Sequence, residues 1–340
     1  MLLHIQFILF RVSTMKILHL IPTLVIGLGL VACGQSSGPS VSTTGQAPAA
    51  PAPVVAKKEI GLVMKTLTNP FFIEMEKGAR RAEQELGLSL TVKTAAQETS
   101  IEQQIQLVED FIAAKVDAIV IAPGDSQRLV PTLKKAADAG IKIINIDNRL
   151  DPETVKLAGM APIPFVSVDN QAGGNKAGKF LAEGVTKPTE AAILEGIRSA
   201  DNGRQRMEGA RQALLENKQI KVVASETANW NIDEAYTVTK AIFRKHPNIK
   251  LLFAANDMMA IGAAKYLQEI GKTDVKVAGY DALSEAAAEI KAGRMGATID
   301  QQAAEQGYQG MALALKLIQG SSVPESTMIE TRLVTAATLK

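Results

Sequence analysis

One cysteine, one tryptophan and three histidines in 340 residues leave few routes to catalysis or metal binding. The cysteine is Cys33, and His4 and His19 both precede it. A chain cut before Cys33 therefore keeps His246 alone and no second thiol. That excludes a disulfide framework and a Cys/His metal site. A Ser-His-Asp centre would depend on His246, which stands in Arg244-Lys245-His246-Pro247 at an expected helix end. A solvated cation at a helix C-terminus is the simpler role there. Neither sign of charge dominates: 37 Lys and Arg face 35 Asp and Glu, a formal charge of +2. No Lys/Arg block tracks a phosphate backbone, so nucleic acid is not an expected partner. Motifs of the form GxxxxGK[ST] or a strand-following GxGxxG are missing too, which removes support for nucleotide hydrolysis and dinucleotide binding. The chain reads as a protein that binds without reacting, with no cofactor.

What is present begins with an address. Met15-Lys16 opens a short basic region, an apolar run covers residues 17–31, and Ala32-Cys33-Gly34 follows. A positive start, an apolar core short for a bilayer and small residues at the cut form a secretory signal. Residues 1–14 repeat the pattern poorly, so either Met1 or Met15 could start translation. Leu30-Val31-Ala32-Cys33 is similar to the lipobox of bacterial lipoproteins, which implies lipidation of Cys33. The alternative is a lone cysteine after a membrane anchor. Residues 34–56 are Gly, Ser, Thr, Gln, Ala and Pro with few large apolar side chains. Such a segment buries too little to offset its ordering entropy and is expected to be a tether. Acyl chains would then hold an exported body at a membrane face.

From residue 59 onward, short β-rich runs alternate with helical periods. Strands are expected at 60–64, 90–92, 118–121, 142–146, 165–168, 191–194, 222–224, 251–254, 275–278 and 296–299. Helices are expected at 71–86, 101–114, 129–139, 173–183, 204–215, 233–244 and 258–270. Ser100 and Gln103 have capping-box spacing. Unbroken apolar strands such as Ala118-Ile119-Val120-Ile121 suit parallel sheets covered on both faces. So many βα units exceed one sheet and predict an α/β chain of two doubly wound lobes. In such sheets ligands bind beyond the carboxyl ends of the strands.

Polar residues gather at those ends. Lys65 to Phe72 follow the first strand, Asp147-Asn148-Arg149 the fourth, and Asn256-Asp257, Gly279-Tyr280-Asp281 and Asp300-Gln301 later ones; Trp230 lies in a polar loop. Carboxylates accept two hydroxyls at once, Arg and Lys donate charge-assisted bonds, and Asn and Gln do both. Aromatic faces cover the apolar C–H faces of a sugar ring. Lys65, Asn69, Phe71, Phe72, Asp147, Arg206, Trp230, Asn256, Asp281 and Gln301 form such a set. Each has a plainer role as well. Asn69 before Pro70 is a good helix cap, Phe71 and Phe72 could be core, Arg204 and Arg206 could be solvated, and Asp281 could cap a helix near Ser284. Paired carboxylates also serve glycosidases, but no acid/base motif accompanies these.

Three segments carry a family resemblance: Leu62 through Phe72, Ala254 through Ala260, and Val277 through Asp281. They resemble the ribose-type periplasmic binding proteins, type I solute-binding proteins of ABC importers, and the likeness extends from about residue 60 to 334. It implies two lobes joined by a three-strand hinge, with the ligand in the cleft between them. Residues 57–168 with 302–330 would form the N-terminal lobe, and 169–301 with 331–340 the C-terminal one, after a signal at 1–32 and a lipidated tether at 33–56. It also implies a monosaccharide ligand, a permease partner and, in some members, a chemoreceptor. Lys65-Thr66-Leu67 with Ala122-Pro123 is closer to the allose-binding branch, where ribose binders carry a small hydroxyl residue and an Asn. Ribose binders also have Arg at the place of Asn148, and residues 150–164 match neither branch. An allose- or psicose-like hexose is expected, with pentoses and sugar alcohols as alternatives. A sensor presenting the same ligand to a membrane chemoreceptor or kinase is the competing role. A sugar-responsive repressor would need a helix-turn-helix where the export signal stands.

Overall fold

The computed structural model describes residues 57–339. Cys33, the signal-like segment, the tether and the choice of start codon lie outside them. The first half runs β1 (Glu59–Met64), α1 (Pro70–Leu86), β2 (Ser89–Thr94), α2 (Ile101–Ala114), β3 (Ala118–Ile121), α3 (Val130–Asp138), β4 (Lys142–Ile146), α4 (Pro152–Leu157) and β5 (Phe165–Val168). The second continues with α5 (Asn170–Ala182), β6 (Thr189–Glu195), α6 (Asp201–Glu216), β7 (Ile220–Thr227), α7 (Ile232–Lys245), β8 (Ile249–Ala254), α8 (Asp257–Glu269), β9 (Lys276–Ala278), α9 (Ser284–Lys291) and β10 (Ala297–Asp300). The chain ends with α10 (Ala303–Ile318), β11 (Ser326–Ile329) and β12 (Arg332–Thr335).

Two six-stranded sheets result, ordered β11-β5-β4-β3-β1-β2 and β12-β10-β9-β8-β6-β7. Every paired strand is parallel except β12, which runs antiparallel to β10. All four residues of β3 and of β5 are buried, as expected for strands covered on both faces. The chain passes between the sheets three times: from β5 into α5, from β10 into α10, and from β11 to β12.

Local chemistry explains where the elements begin and stop. Helix α1 opens on the Asn69 side chain, which accepts from the Phe71 amide, with Pro70 in the first turn, and closes on Gly87 at φ 67. Helices α5 and α6 start three residues earlier than the periodicity predicts, at Asn170 and Asp201. Their first turns are rich in Gly and Asn, which weakens the helical signal. Those glycines serve close packing instead. A Cβ on Gly174 would stand 2.2 Å from the Arg206 carbonyl, and one on Gly209 2.0 Å from that of Gln171. The other lobe repeats the device, with Gly78 of α1 against Ala304 of α10 and Gly307 against Met75. A side chain at any of these glycines would push a helix pair apart.

The capping box expected at Ser100 is not formed. Ser100 makes no side-chain cap bond, and the return bond fails as well: its amide donates to the Gln97 carbonyl at 3.0 Å, while the Gln103 side chain accepts from the Ala96 amide at 2.8 Å. That bond ties the loop after β2 to α2. Residues 150–164, unmatched by pattern, contain α4, whose N-cap Asp151 accepts from the Thr154 amide.

The lobes are closed on each other. The Ser126 amide donates to the Ser199 carbonyl at 3.1 Å, and the Asp201 amide to Ser126 Oγ at 3.1 Å. Deeper in, the Asn202 amide donates to Asn148 Oδ1 at 3.1 Å.

Candidate functional site

A narrow cleft lies between the lobes at the carboxyl ends of the strands. All ten residues singled out in the sequence line it: Lys65, Asn69, Phe71, Phe72, Asp147, Arg206, Trp230, Asn256, Asp281 and Gln301. Two further residues, Glu98 and Asn202, complete the wall.

The N-terminal wall centres on one buried cation. Lys65 Nζ lies 2.9 Å from Asp147 Oδ2 and 3.9 Å from Glu98 Oε2, and Lys65 and Asp147 expose only 3% and 2% of their side chains. Asn69 is the helix cap that the sequence allows, its Oδ1 accepting from the Phe71 amide at 3.1 Å, while its Nδ2 donates to Glu98 Oε1 at 2.8 Å. Phe71 and Phe72 are both buried and meet edge to face, centroids 5.1 Å apart. The Lys65 ammonium stands 5.5 Å from the Phe72 ring, a cation–π distance.

Arg206 organises the opposite wall. Its Nε donates to Asn170 Oδ1 at 2.8 Å, Nη1 to the Ala255 carbonyl at 3.1 Å, and Nη2 to Gln301 Oε1 at 3.1 Å. Nη1 also stands 3.5 Å from Asp281 Oδ1, with both side chains 3% exposed. The guanidinium stacks 3.9 Å from the Tyr280 ring centroid and 5.6 Å from that of Trp230. Arg204, by contrast, is exposed and bound to Asp201. Trp230 needs glycine beneath it, because a Cβ on Gly196 would fall 2.1 Å from its ring. Gln301 Nε2 donates to Asp281 Oδ1 at 2.5 Å, joining the β10 end to the β9 end.

Backbone strain concentrates here. Asp147 (φ 62), Asn229 (φ 48), Trp230 (φ 64), Asp281 (φ 121) and Ala282 (φ 56) all occupy the left-handed region that L side chains avoid. Such strain persists only where surrounding bonds impose it, and it clusters at functional sites. At Asp147 the constraints are its amide, which donates to the Val166 carbonyl, and its carbonyl, which accepts from Ser167 Oγ. At residues 281–283 they come from below. Asp257 Oδ1 accepts from Thr298 Oγ1 at 2.7 Å and its Oδ2 from the Leu283 amide at 2.9 Å. Asp281 is therefore no helix cap, and α9 begins without a side-chain cap bond.

Burial sets the electrostatics. It pushes the Asp257 carboxyl up to about 7, the bonds from Thr298 and the Leu283 amide opposing it. It lifts Asp281 well above the carboxylate range, with Arg206 pulling the other way. Glu98 is likewise raised by burial, while Lys65 and Asn69 lower it. The Tyr280 phenol is driven above its ordinary value by burial. Three carboxylates and two cations thus face a closed space, an arrangement rich in acceptors and in charged donors.

Glu98 and Asn202 escaped the sequence reading, yet the rule that found the others applies to them. Glu98 follows β2 and Asn202 follows β6, both at carboxyl ends of strands. Asn148 differs from the ribose pattern, and its fully buried side chain spans the gap between lobes, binding the Pro123 carbonyl and the Asn202 amide. His246 is the C-cap residue of α7, away from the cleft.

Comparison with known proteins agrees with this geometry. The periplasmic binding protein domain family matches residues 60–322. A D-ribose/D-allose-binding protein of Pseudomonas aeruginosa is 40% identical over 269 residues, covering 78% of this chain and 84% of that protein. A D-allose-binding periplasmic protein of Escherichia coli is 35% identical over 82% of this chain and 93% of its own length. The crystal structure of a periplasmic solute-binding protein of an ABC transporter from Actinobacillus succinogenes, with bound D-allose, superposes with a TM-score of 0.79. It shares 42% identity and covers 83% of this chain and 99% of that one. With two parallel-sheet lobes, three passages between them and a polar cleft at the strand ends, this chain belongs to the periplasmic binding protein family, a non-enzymatic family of the type I fold.

Proposed function

We propose that this protein is the exported sugar receptor of an ABC importer, closing around one monosaccharide of the allose or psicose kind. The observation that carries the reading is the pair of buried charge clusters lining one cleft between the lobes, Lys65 with Asp147 and Arg206 with Asp281. A neutral polyol supplies hydroxyls that satisfy both clusters without adding a charge of its own. Phe71, Phe72 and Trp230 supply the faces for the ring. A ligand bonded to both walls stabilises the closed state by its differential contacts, in a hinge motion about the three passages. Relatives named for ribose and allose support a hexose or pentose over a longer glycan. Lipidation at Cys33 would keep the receptor beside its permease.

Trp230 is the chain's single tryptophan and lines the cleft, so it reports occupancy. Titration with D-allose, D-psicose, D-ribose and xylitol is expected to shift its emission saturably, with one site per chain and a hexose binding most tightly. Unshifted emission and no calorimetric heat with every sugar would remove the sugar reading. In cells, Cys33→Ala is expected to move the protein from the membrane fraction to the soluble exported fraction with ligand affinity unchanged. Wild-type protein found in the cytosol with its N-terminus intact would overturn the export and anchoring part.

A further inference from the structure

Residues 150–164, which match neither branch pattern, border a second cavity, of about 210 Å³, beside β4 and β5. It shares no lining residue with the cleft between the lobes. Its walls include Leu150, Val155, Met160 and Ile163 from that segment and Phe165 from the start of β5. Leu150, Val155 and Phe165 are buried, so the lining is set before anything enters. The segment is tied down at its first residues. Asn145 Oδ1 accepts from the Leu150 amide at 2.8 Å, and its Nδ2 donates to the Asn148 carbonyl at 2.7 Å. The Asp151 amide donates to the Ser126 carbonyl at 2.8 Å. An apolar cavity of about 150 Å³ already holds a molecule the size of benzene. A preformed apolar pocket with few polar groups is the usual form of a small-molecule site.

One charged group faces this lining without a partner of its own. Arg149 is half-buried at the cavity wall, its guanidinium 5.4 Å from the Phe165 ring centroid. Among the described residues no carboxylate stands in ion-pair reach of it, and no oxygen accepts from its guanidinium. Other half-buried cations of the fold are paired: Arg80 with Glu76 and Glu83, Lys93 with Asp110, and Arg294 with Glu289. Lys156 and Glu325, both exposed, complete the rim with opposite charges, so Arg149 sets the sign of the site. A planar guanidinium stacked on a ring keeps its edge free for two parallel bonds to a carboxylate.

We propose that this cavity is a second ligand site, taking a small monocarboxylate with an apolar body, the carboxylate on Arg149 and the body against α4 and Phe165. A sugar does not suit it, since its hydroxyls would meet apolar side chains without acceptors. The proposal stands whether or not the cleft takes a sugar. The turn after β4 serves both spaces, with Asp147 lining the cleft and Arg149 the cavity.

Calorimetry with phenylacetate and hexanoate tests this, with phenethyl alcohol and phenethylamine as bodies of matching size under other heads. Wild type is expected to bind one phenylacetate per chain. Phenethyl alcohol should bind roughly 10- to 100-fold more weakly, as for a lost charged hydrogen bond, and phenethylamine not at all. Arg149→Gln is expected to lose the same factor for phenylacetate and to bind phenethyl alcohol as wild type does. Val155→Trp, which fills the cavity, is expected to bind neither. If that variant does not fold, the comparison of heads on wild type and Arg149→Gln decides alone. Saturating D-allose is expected to leave phenylacetate bound. No heat with either acid, an alcohol that binds as tightly as the acid, undiminished affinity of Arg149→Gln, or displacement by D-allose overturns the proposal. Unfolding midpoints measured without ligand separate a lost carboxylate contact from a weakened fold.

Discussion

Replacing Arg206 with alanine is expected to weaken ligand binding by about 2–5 kcal/mol, as for truncation of a buried charged partner. The size follows from how many groups depend on one side chain. Arg206 holds Asn170, the Ala255 carbonyl and Gln301, and faces Asp281. Without it, Asp281 keeps only the Gln301 amide as a side-chain donor to its buried charge, and the loop at φ 121 loses its counter-ion. Trp230 and Tyr280 lose the cation stacked between them. Arg206→Lys should recover little, because a point charge cannot make three directed bonds in a planar fork. Calorimetric titration of both variants, with unfolding midpoints in parallel, measures the effect. An affinity within about threefold of wild type for Arg206→Ala would show that the C-terminal wall does not hold the ligand.

Lys65→Met attacks the other wall, and its signature is a dependence on pH. The substitution leaves Asp147 and Glu98 facing a closed cavity with no cation between them. Removing one partner of a buried ion pair costs about 3–5 kcal/mol. Opening the lobes would hydrate both carboxylates, so the cost should appear as lost closure and lost affinity. Burial already holds Glu98 above its ordinary range, and Lys65 is the largest influence lowering it. Without Lys65 the carboxyl rises further. A carboxyl whose value is raised in the closed form takes up a proton on closing, so the penalty is present at high pH and relieved as pH falls. Affinity of Lys65→Met should therefore improve between about pH 7 and about pH 5, toward values near 4.3 where free carboxylates titrate. Dissociation constants across that range decide it. A loss independent of pH would mean that the lysine acts through the ligand alone.

The architecture was legible because it rests on repeated, local signals. Buried strands such as β3 are unbroken apolar runs, and the helices between them carry caps and periodicity that one sequence displays. The ten cleft residues were legible because a parallel sheet exposes its ligand at one edge, so chemistry and position coincide. Glu98 and Asn202 were passed over since they stand beyond the strand ends, Glu98 in the loop after β2 and Asn202 in the first turn of α6, where polar residues commonly serve caps and turns. The starts of α5 and α6 were hidden by glycines that lower helix propensity and are needed for packing. The Ser100 box failed for a related reason. Spacing shows what Gln103 can reach, not that the Ala96 amide competes for it. Closure contacts such as Asn148 with Asn202 join residues far apart in the chain, and no local pattern encodes them.

The three passages between sheets also govern the order in which the molecule can be completed. The N-terminal sheet takes its edge strand β11 and its glycine-packed helix α10 from residues 303–329, and the other sheet takes β12 from 332–335. A chain still lacking everything after β10 leaves Gly78 of α1 without its partner helix and β5 without its outer neighbour. Neither sheet has its full set of strands until β11 and β12 have formed, and these late contacts close long stretches of chain. The last helix and the two strands after it are thus needed to finish both lobes, so a chain truncated after β10 leaves both sheets incomplete at once.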